Sequence, residues 1–420
     1  MPTATPTAAP SRAPAPGQYF DVPGVGGGTQ WTDQYETTVS LATTMATGTQ
    51  TPVNGILAFK QTDVVIDWQI EVQIAQNYTT GTSAMTTSPY APYNAIGPVK
   101  LPIQNQYNSV DLESGIDLYI FNLIRPWRQT FMLVNSYTAT AGWFVASSAT
   151  GFLQTALAQP NLVAPAFWGG AVAQTYNILM RLPASITFDF YYDLAITGEP
   201  IAPPHAAIVS PQYMAGSTRV ITPLVTLNPG NASTLDNGPM NIGAGTGSFT
   251  GTATTTFRRK AVYSGSPVLM PPVYAWQYRW RTTRFQLNGV TRRDLQVPLD
   301  TGQLLMIYAR MFDPSASAGL GAPIQLSTLT RVSLQYGSGL YAFDGTPLEA
   351  QADFLEKHGV LLPIGVLCID LMQDERGNRT NKRALNTLTT SGILLHLEFA
   401  APTSATAYVT MGTESLVYVA

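Results

Sequence analysis

The chain has 420 residues, enough for two or more domains, and carries a net charge of −3. Only 11% of its residues are charged, against a usual ~25%, which predicts a surface largely covered by partners or, alternatively, one rich in uncharged polar residues. The missing basic excess argues against general nucleic-acid binding, and the single cysteine, Cys368, excludes an intrachain disulfide and a cysteine-rich zinc site.

Residues 1–34 are predicted to form an N-terminal arm rich in Pro, Ala and Gly. The first 30 residues hold six prolines and only two charges, Arg12 and Asp21. Proline fixes φ and removes a backbone donor, so we expect this arm to be extended against a neighbouring subunit or disordered. No secretory signal is recognised at its start, and Val360–Ile369, the longest apolar run, is too short to span a membrane.

Residues 35–198 are predicted to form a first β-barrel. Strict alternation of apolar and polar residues marks two long strands, Asp63–Ala75 and Ser185–Ile196. Further strands are predicted at Thr37–Met45, within Ile116–Val134 (two strands), at Thr138–Ser147 and at Ala171–Leu182. A short helix is predicted at Gly151–Ala158, closed by Pro160. About eight strands are enough for a closed barrel.

A proline-rich linker at residues 199–217 precedes a second predicted barrel, residues 218–420. Its predicted strands are Arg219–Leu227, Tyr274–Trp280, Leu304–Phe312, Thr330–Tyr336, Leu361–Leu371, Gly392–Phe399 and Ala407–Val419. The segment Asn228–Thr256 is rich in Gly, Thr, Asn and Ser and is predicted to be a long excursion loop or a flexible connection. Thr346, Pro347 and Glu349 are typical of a helix start and predict a helix over Thr346–His358.

The histidines do not predict a metal centre. His205 lies in the linker, His358 ends the predicted helix, where it would interact with the helix dipole, and His396 has the outward phase of a strand. We therefore predict no metal and no cofactor. Neither a nucleophile elbow nor a phosphate-binding loop is present in the sequence.

Paired carboxylates are the remaining candidates for catalysis. Asp67 and Glu71 share one strand face, as do Asp189 and Asp193 with Tyr191 between them. Residues four apart on a strand are ~13 Å apart, too far to act together. We expect a solvated or contact surface and no catalytic residues; a calcium site using Asp189 or Asp193 at a subunit contact is the alternative.

Aromatic and arginine residues alternate over Tyr274–Arg281. Tyr274, Trp276, Tyr278 and Trp280 fall on one face, predicted to be core, while Arg279 and Arg281 fall on the other. This separation argues against a nucleic-acid stacking platform. The charged turn Asp374–Arg383 is interpreted as a solvated hairpin tip or a salt-bridged contact between neighbouring subunits.

Four segments together resemble a known family. They are Ser185–Ile196 with the following TGEPIAPP, Tyr274–Asp313, Tyr336–Gly359, and Cys368–Ala400 with the closing YVTMGTESLVYV. Their order is similar to that in the double jelly-roll major capsid proteins of tailless icosahedral viruses, the lineage of tectivirus-like phages and adenovirus hexon. The resemblance implies an all-β fold with two eight-stranded jelly-roll barrels in one chain, each with a short helical excursion. It also implies pseudo-hexagonal homotrimers, and often a membrane beneath the shell.

The sequence thus predicts a non-enzymatic major capsid protein that assembles in the host cytoplasm into the shell of a virion. Its expected partners are further copies of itself, as a homotrimer and in neighbouring capsomers, and virion proteins such as penton or minor capsid proteins. An internal viral membrane is a further candidate, and sequence-specific nucleic acid is not expected. The alternatives are a phage spike, a glycan- or receptor-binding β-sandwich, and a carbohydrate-active enzyme.

Overall fold

The computed structural model describes a set of segments that together form most of the two halves of the chain. These are residues 30–41, 51–54, 57–58, 63–79, 86–90, 93–103, 107–123, 131–136, 174–183, 220–221, 224–227, 233–241, 248–263, 276–300, 302–358, 361–371, 384–387, 390 and 392–418. The predicted arm before Gln30, the helix at Gly151–Ala158, the strands at Thr138–Ser147 and Ser185–Ile196, and the linker lie outside the described residues.

Strands dominate the described residues. In the first part of the chain they are β1 (Gln30–Leu41), β2 (Thr51–Asn54), β3 (Leu57–Ala58), β4 (Asp63–Thr79), β5 (Thr86–Thr87), β6 (Ile96–Ile103), β7 (Tyr107–Leu112), β8 (Phe131–Ser136), β9 (Gln174–Pro183), β10 (Val220–Ile221), β11 (Leu224–Leu227), β12 (Met240–Asn241) and β13 (Ser248–Tyr263). Those that follow are β14 (Trp276–Gln286), β15 (Arg292–Gln296), β16 (Gly302–Asp313), β17 (Ala322–Pro323), β18 (Leu329–Tyr336), β19 (Leu340–Gly345), β20 (Val366–Asp370), β21 (Leu385–Asn386), β22 (Leu394–Phe399) and β23 (Tyr408–Tyr418).

Two α-helices are found in the described part of the chain, α1 (Gly115–Leu123) and α2 (Pro347–His358). Single 3₁₀ turns occur at Tyr93–Ala95, Ser317–Gly319 and Leu326–Thr328. Neither α-helix is long and apolar enough to cross a membrane.

Three sheets of four or more strands organise most of these strands, and β3 with β10 and β5 with β12 form two further two-stranded sheets. One has the order β1-β13-β4-β9-β8, a second has the order β17-β16-β23-β14-β7-β6-β11-β2, with β20 and β21 also paired to β16, and a third has the order β15-β22-β18-β19. In the second sheet, β14 and β7 form a parallel pair in which Trp280 lies opposite Val110. This pair joins strands from the two halves of the chain into one continuous sheet.

Strand β16 is covered on both faces, which explains its nearly continuous apolar sequence. On one face Leu304, Ile307 and Met311 pack in a core between the second and third sheets, opposite residues such as Val332 and Leu395. On the other face, Tyr308, Arg310 and Phe312 are fully buried towards the first half of the chain. The strand therefore positions an arginine inside the molecule.

The start of helix α2 agrees with the sequence prediction. The Glu349 backbone N–H donates to Thr346 Oγ1 at 3.2 Å, and the Thr346 backbone N–H donates to Glu349 Oε2 at 2.6 Å. This reciprocal pair is a capping box, and it satisfies donors that the first helical turn leaves unpaired.

The prediction of two strands within Ile116–Val134 is wrong. The structure has helix α1 there, followed by the single strand β8. Ile116, Leu118 and Ile120 mimic the alternation of a strand, but the helix is covered on several sides, and seven of its nine residues are buried. Ser114 begins the helix, with its carbonyl accepting from the Asp117 N–H at 3.0 Å.

The prediction of a loop over Asn228–Thr256 is also wrong, because β13 begins at Ser248 and continues beyond it. Its threonines favour strand structure. Partners far away in sequence supply its hydrogen bonds, since β13 lies between β1 and β4, with Thr254 opposite both Thr38 and Gln73.

Most of the other predicted strands agree with the structure to within a few residues at each end. The alternating segment Asp63–Ala75 forms β4, Leu304–Phe312 forms β16, and Ala407–Val419 forms β23. Thr37–Met45 is shifted: β1 begins at Gln30, inside the predicted arm. The all-β class is therefore confirmed by the described residues.

Candidate functional site

The most concentrated charge in the described core surrounds Arg310, whose side chain is completely buried. Its Nε donates to Asp117 Oδ1 at 3.0 Å, and its Nη2 donates to Asp117 Oδ2 at 3.4 Å. Its Nη1 donates to Asp236 Oδ1. Such a forked arrangement is the geometry in which a guanidinium binds carboxylates most strongly. We call Tyr90, Glu113, Asp117, Asp236, Arg284, Arg310 and Tyr408 the central cluster.

Separate local structures position the two aspartates. Asp117 lies in the first turn of α1, whereas Asp236 lies in a turn closed by the Asn237 N–H donating to the Thr234 carbonyl at 3.0 Å. Asn94 holds this turn, because its Nδ2 lies 2.8 Å from the Leu235 carbonyl and 2.7 Å from that of Gly238. Both aspartates are thus positioned by hydrogen-bonded backbone.

Aromatic rings and a second arginine complete the central cluster. Tyr408 donates its hydroxyl proton to Asp236 Oδ2. The Arg284 guanidinium lies 4.2 Å from the centroid of the Tyr408 ring, and its Nε donates to Glu113 Oε2 at 2.9 Å. The Tyr90 ring lies under Arg310 at 5.4 Å. These stacked cations are further stabilised by the ring faces.

Electrostatics keep the central arginine charged. Burial lowers the pKa of Arg310, but Asp117 and Asp236 raise it more, to well above its usual value. Burial raises the pKa of Asp117 and of Glu113, and the neighbouring arginines oppose that rise. An arginine with so high a pKa does not exchange protons at neutral pH, so the central cluster is suited to holding structure.

The central cluster joins the two halves of the chain. Tyr90, Glu113, Asp117 and Asp236 precede β13, whereas Arg284, Arg310 and Tyr408 lie on β14, β16 and β23. An aromatic stack lies on the same side: the Phe121 ring of α1 is 5.0 Å from the Trp280 ring and nearly parallel to it, and 5.2 Å from the Tyr308 ring. Charged and apolar contacts together fix α1 against the strands of the second half.

The two described histidines lie in separate environments. His358 Nε2 is 2.9 Å from Asp370 Oδ2, and its ring packs on Phe354 at 4.5 Å. His396 has the predicted outward phase, opposite to the core residues Leu395 and Leu397, but it is buried there, with Nδ1 2.6 Å from Asp294 Oδ1 and Nε2 2.8 Å from Gln335 Oε1. Long polar neighbours on adjacent strands cover it. His205 lies outside the described residues, among which no group of His, Cys, Asp and Glu is arranged to hold a metal.

The candidate carboxylates are only partly described. Asp67 and Glu71 lie on β4, opposite Lys260 and Thr256 of β13, and Glu71 is half-buried. Asp189, Tyr191 and Asp193 lie outside the described residues, as does the whole charged turn Asp374–Arg383.

The predicted separation of aromatics and arginines on β14 is confirmed where the side chains are described. Trp280 is fully buried, and its Nε1 donates to Glu414 Oε1 at 3.2 Å. Arg279 and Arg281 point the other way, and both approach Asp300. The distance to Asp300 Oδ1 is 2.5 Å from Arg279 Nη1 and 3.9 Å from Arg281 Nη1. Cys368 is buried as predicted, and burial raises the pKa of its thiol well above the usual value.

Solved structures with the same fold are viral capsid proteins. The STIV MCP, from Sulfolobus turreted icosahedral virus, is 14% identical to this chain with a TM-score of 0.51, and the match covers 91% of this chain and 97% of that one. A capsid structure of the virus PBCV-1 is 10% identical with a TM-score of 0.52, covering 92% of this chain and 94% of that one. No protein-family model and no curated protein matches the sequence.

These matches extend over nearly the whole length of the chains compared. The overall fold is therefore that of the double jelly-roll capsid proteins, as the sequence resemblance predicted.

Proposed function

We propose that this chain is the major capsid protein of an icosahedral virus and that many copies of it assemble into the shell of the virion. The observation that carries the proposal is the shared fold, which covers over 90% of this chain and of both capsid proteins compared with it. Fold alone does not define function, so the proposal needs support from the chain's own residues.

The chain's own composition and core provide that support. With 11% charged residues, the surface suits extensive contact with other subunits. The charged groups of the central cluster pair with one another within the molecule and link the two halves of the chain. We infer a structural, non-enzymatic role in which repeated contacts between copies perform the function.

The unit of assembly that we propose is a homotrimer. Two similar barrels per chain, repeated three times, present six roughly equivalent sides and allow pseudo-hexagonal packing with neighbouring capsomers. Penton or minor capsid proteins, and an internal viral membrane, are the other proposed partners. Assembly would take place in the host cytoplasm.

The domain division also stays a proposal: arm 1–34, first barrel 35–198, linker 199–217 and second barrel 218–420. Strand pairing supports moving the start of the second barrel beyond Tyr263, because β11 pairs with β2 and β6, and β13 pairs with β1 and β4. Limited proteolysis with mass spectrometry distinguishes the two boundaries. A stable C-terminal fragment that begins near residue 218 would support the division given above, and one that begins after residue 263 would support the later start.

The proposed function is tested by light scattering and electron microscopy of the purified chain. We expect particles of three times 45.2 kDa that associate further into shells. A stable monomer that never assembles would contradict the proposal. In virions from the native source this chain should be the dominant band; a few copies per particle would favour a spike, and polysaccharide turnover lost in Glu71→Ala would favour an enzyme.

A further inference from the structure

A groove lies between strand β19 and helix α2, at the β19 end of the third sheet. Its volume is about 580 Å³, within the roughly 300–1,000 Å³ that is usual for ligand-binding clefts. Helix α2 packs on β18 and β20, with Ala350 and Phe354 buried and Leu348 and Leu355 exposed. Strand β19 pairs with β18 alone among the described strands, so its other edge and the helix leave the groove between them.

Aromatic and small residues line much of this groove. They are Tyr336, Tyr341, Phe343 and Phe354, with Ala342, Ala350, Cys368 and Ala384. Tyr341 is 47% exposed whereas Phe354 is buried, so the aromatic lining extends from the mouth of the groove to its floor. Side chains that can donate hydrogen bonds, Lys357, Asn386 and Thr390, also line it. Aromatic-lined grooves with a few such donors bind proline-rich segments.

The groove also carries one carboxylate without a partner in the described part of the chain. Three charged residues line it: Asp353, Lys357 and Asp370. Asp370 Oδ2 is 2.9 Å from His358 Nε2, and Lys357 Nζ donates to the Asp370 carbonyl at 3.4 Å. Asp353 is exposed and makes no ion pair with a described residue. The groove therefore offers a negative charge beside its aromatic lining.

The N-terminal arm of the chain has the complementary chemistry. Within its first 20 residues the only charged side chain is that of Arg12, and five prolines occur, Pro2, Pro6, Pro10, Pro14 and Pro16. Proline favours the polyproline II conformation, which leaves every backbone carbonyl without an internal hydrogen bond. A segment already restricted in this way loses little conformational entropy when it binds.

We propose that residues 6–14 of the chain's own N-terminal arm bind in the groove between β19 and α2, with Arg12 paired to Asp353. The proline rings pack on the aromatic lining, and carbonyls of the arm accept hydrogen bonds from the donors that line the groove. The single positive side chain of the arm and the unpaired carboxylate of the groove fix the direction in which the arm lies.

The arm is long enough to reach the groove of its own copy. Gln30, where β1 begins, follows Arg12 by 18 residues, which span up to about 60 Å when extended. This exceeds twice the radius of gyration of about 22 Å expected for a compact chain of 420 residues. Attachment to the same chain also gives the arm an effective concentration of about millimolar at the groove. The inference concerns contacts within one copy and does not depend on shell assembly.

Trypsin cleavage after Arg12 in the full chain tests whether the arm is bound, because no other Lys or Arg precedes Lys60. We expect Tyr341→Ala to accelerate this cleavage roughly tenfold, since a large aromatic contact is lost. Asp353→Ala should accelerate it about two- to fivefold, as expected for an exposed ion pair. Glu356→Ala removes an exposed acid of the same helix that does not line the groove, and should be cleaved at the wild-type rate. Equal rates in all four proteins would overturn the proposal.

Cysteine crosslinking of the full chain identifies the copy that supplies the arm. Ala13→Cys is combined with Ala342→Cys, an exposed position in the groove, and treated with a short bismaleimide. We expect a peptide that joins positions 13 and 342, in a product that keeps the mass of one chain on a denaturing gel. Ala13→Cys with Gln296→Cys, which is exposed on β15 at the opposite edge of the third sheet, should give no such link. Ala13→Cys alone reports any reaction of the buried Cys368.

The outcomes of the crosslinking experiment separate this inference from the proposed function. Covalent dimers joined through positions 13 and 342 would overturn the assignment of the groove to the chain's own arm. Absence of the link, or an equal yield with Gln296→Cys, would overturn binding of the arm in the groove. Neither result bears on shell assembly, which light scattering and electron microscopy test on the same protein.

Discussion

Arg310 of β16 binds Asp117 of α1 through two hydrogen bonds, although 193 residues separate them in sequence. Both side chains are completely buried, so the pair exists only when the two halves of the chain are docked. Removing two charges from water is unfavourable, and the geometry of the pair offsets that penalty. The central cluster therefore makes docking of the halves specific: a shifted arrangement would leave buried charges without partners.

Arg310→Met should destabilise the protein strongly. The change leaves Asp117 and Asp236 buried without their main cation, and breaking a buried pair in this way costs about 3–5 kcal/mol. Urea unfolding followed by tryptophan fluorescence measures the loss, with Trp280 reporting on the contact with α1. Arg331→Met is the control, since Arg331 pairs with Asp344 at the surface. An exposed pair contributes about 1 kcal/mol or less.

The decrease in unfolding free energy caused by Arg310→Met should depend on pH. Without the guanidinium, the pKa of Asp117, which burial already raises, should rise further. A carboxyl whose folded pKa is raised above its unfolded value destabilises the fold as pH rises between the two values. The difference in unfolding free energy between wild type and variant should therefore be larger at about pH 7 than at about pH 5. An equal difference at both would contradict a role for buried carboxylates.

Gly412→Ala should destabilise the centre of the second sheet. Gly412 lies on β23 opposite Thr282 of β14 and Tyr308 of β16, and a Cβ at this position would collide with the Tyr308 ring. Overpacking of this kind costs about 1–3 kcal/mol. Thermal unfolding of Gly412→Ala in the wild-type and Tyr308→Leu backgrounds tests the cause. The loss should be smaller in the second background, because the smaller side chain leaves room; equal losses would point to a backbone effect.

Periodicity predicted the long strands well because sheets that face a core on one side alternate along the chain. Strand β4 is the best example. The same logic failed for α1, whose apolar residues alternate by coincidence while the helix is covered on several sides, and for β13, whose pairing with β1 and β4 is not encoded locally. In both α1 and β13, contacts with residues distant in sequence determine the secondary structure.

The central cluster was not predicted, although one signal for it exists. Arg310 interrupts the apolar run of β16, and an arginine in a fully buried strand requires a carboxylate partner. The sequence does not say which carboxylate, because Asp117 lies in a helix that was not predicted and Asp236 lies in a segment predicted only as a long loop. The exposed leucines of α2, by contrast, follow from the helix prediction and its 3.6-residue period.

Thr346→Ala should shorten or fray α2. The change removes the hydroxyl that accepts from the Glu349 N–H, and losing such a cap costs about 1 kcal/mol. Hydrogen exchange of the first helical turn should accelerate while that of β16 stays unchanged. Thr346→Ser retains the hydroxyl and is the matched control. Unchanged exchange in Thr346→Ala would show that packing against the sheet, and not the cap, holds the start of the helix.

Asp294 on the outer face of the third sheet should make a pH-dependent contribution to the unfolding free energy, and Asp294→Asn should remove it. The hydrogen bond from His396, followed by that from Arg292, holds the pKa of Asp294 below its usual value. A carboxyl with a lowered folded pKa stabilises the fold above its unfolded pKa of about 3.9, and this contribution is lost as pH falls through the folded pKa.

We therefore expect Asp294→Asn to lower the unfolding free energy at about pH 7, by no more than about 1 kcal/mol because the Asp294 side chain is 47% exposed. The difference from wild type should shrink steadily below about pH 4. Urea titrations across this range measure it, with Gln296→Ala, an uncharged change on the same strand, as the control. A difference that grows as the solution is acidified would mean that the His396 contact does not favour the ionised carboxylate.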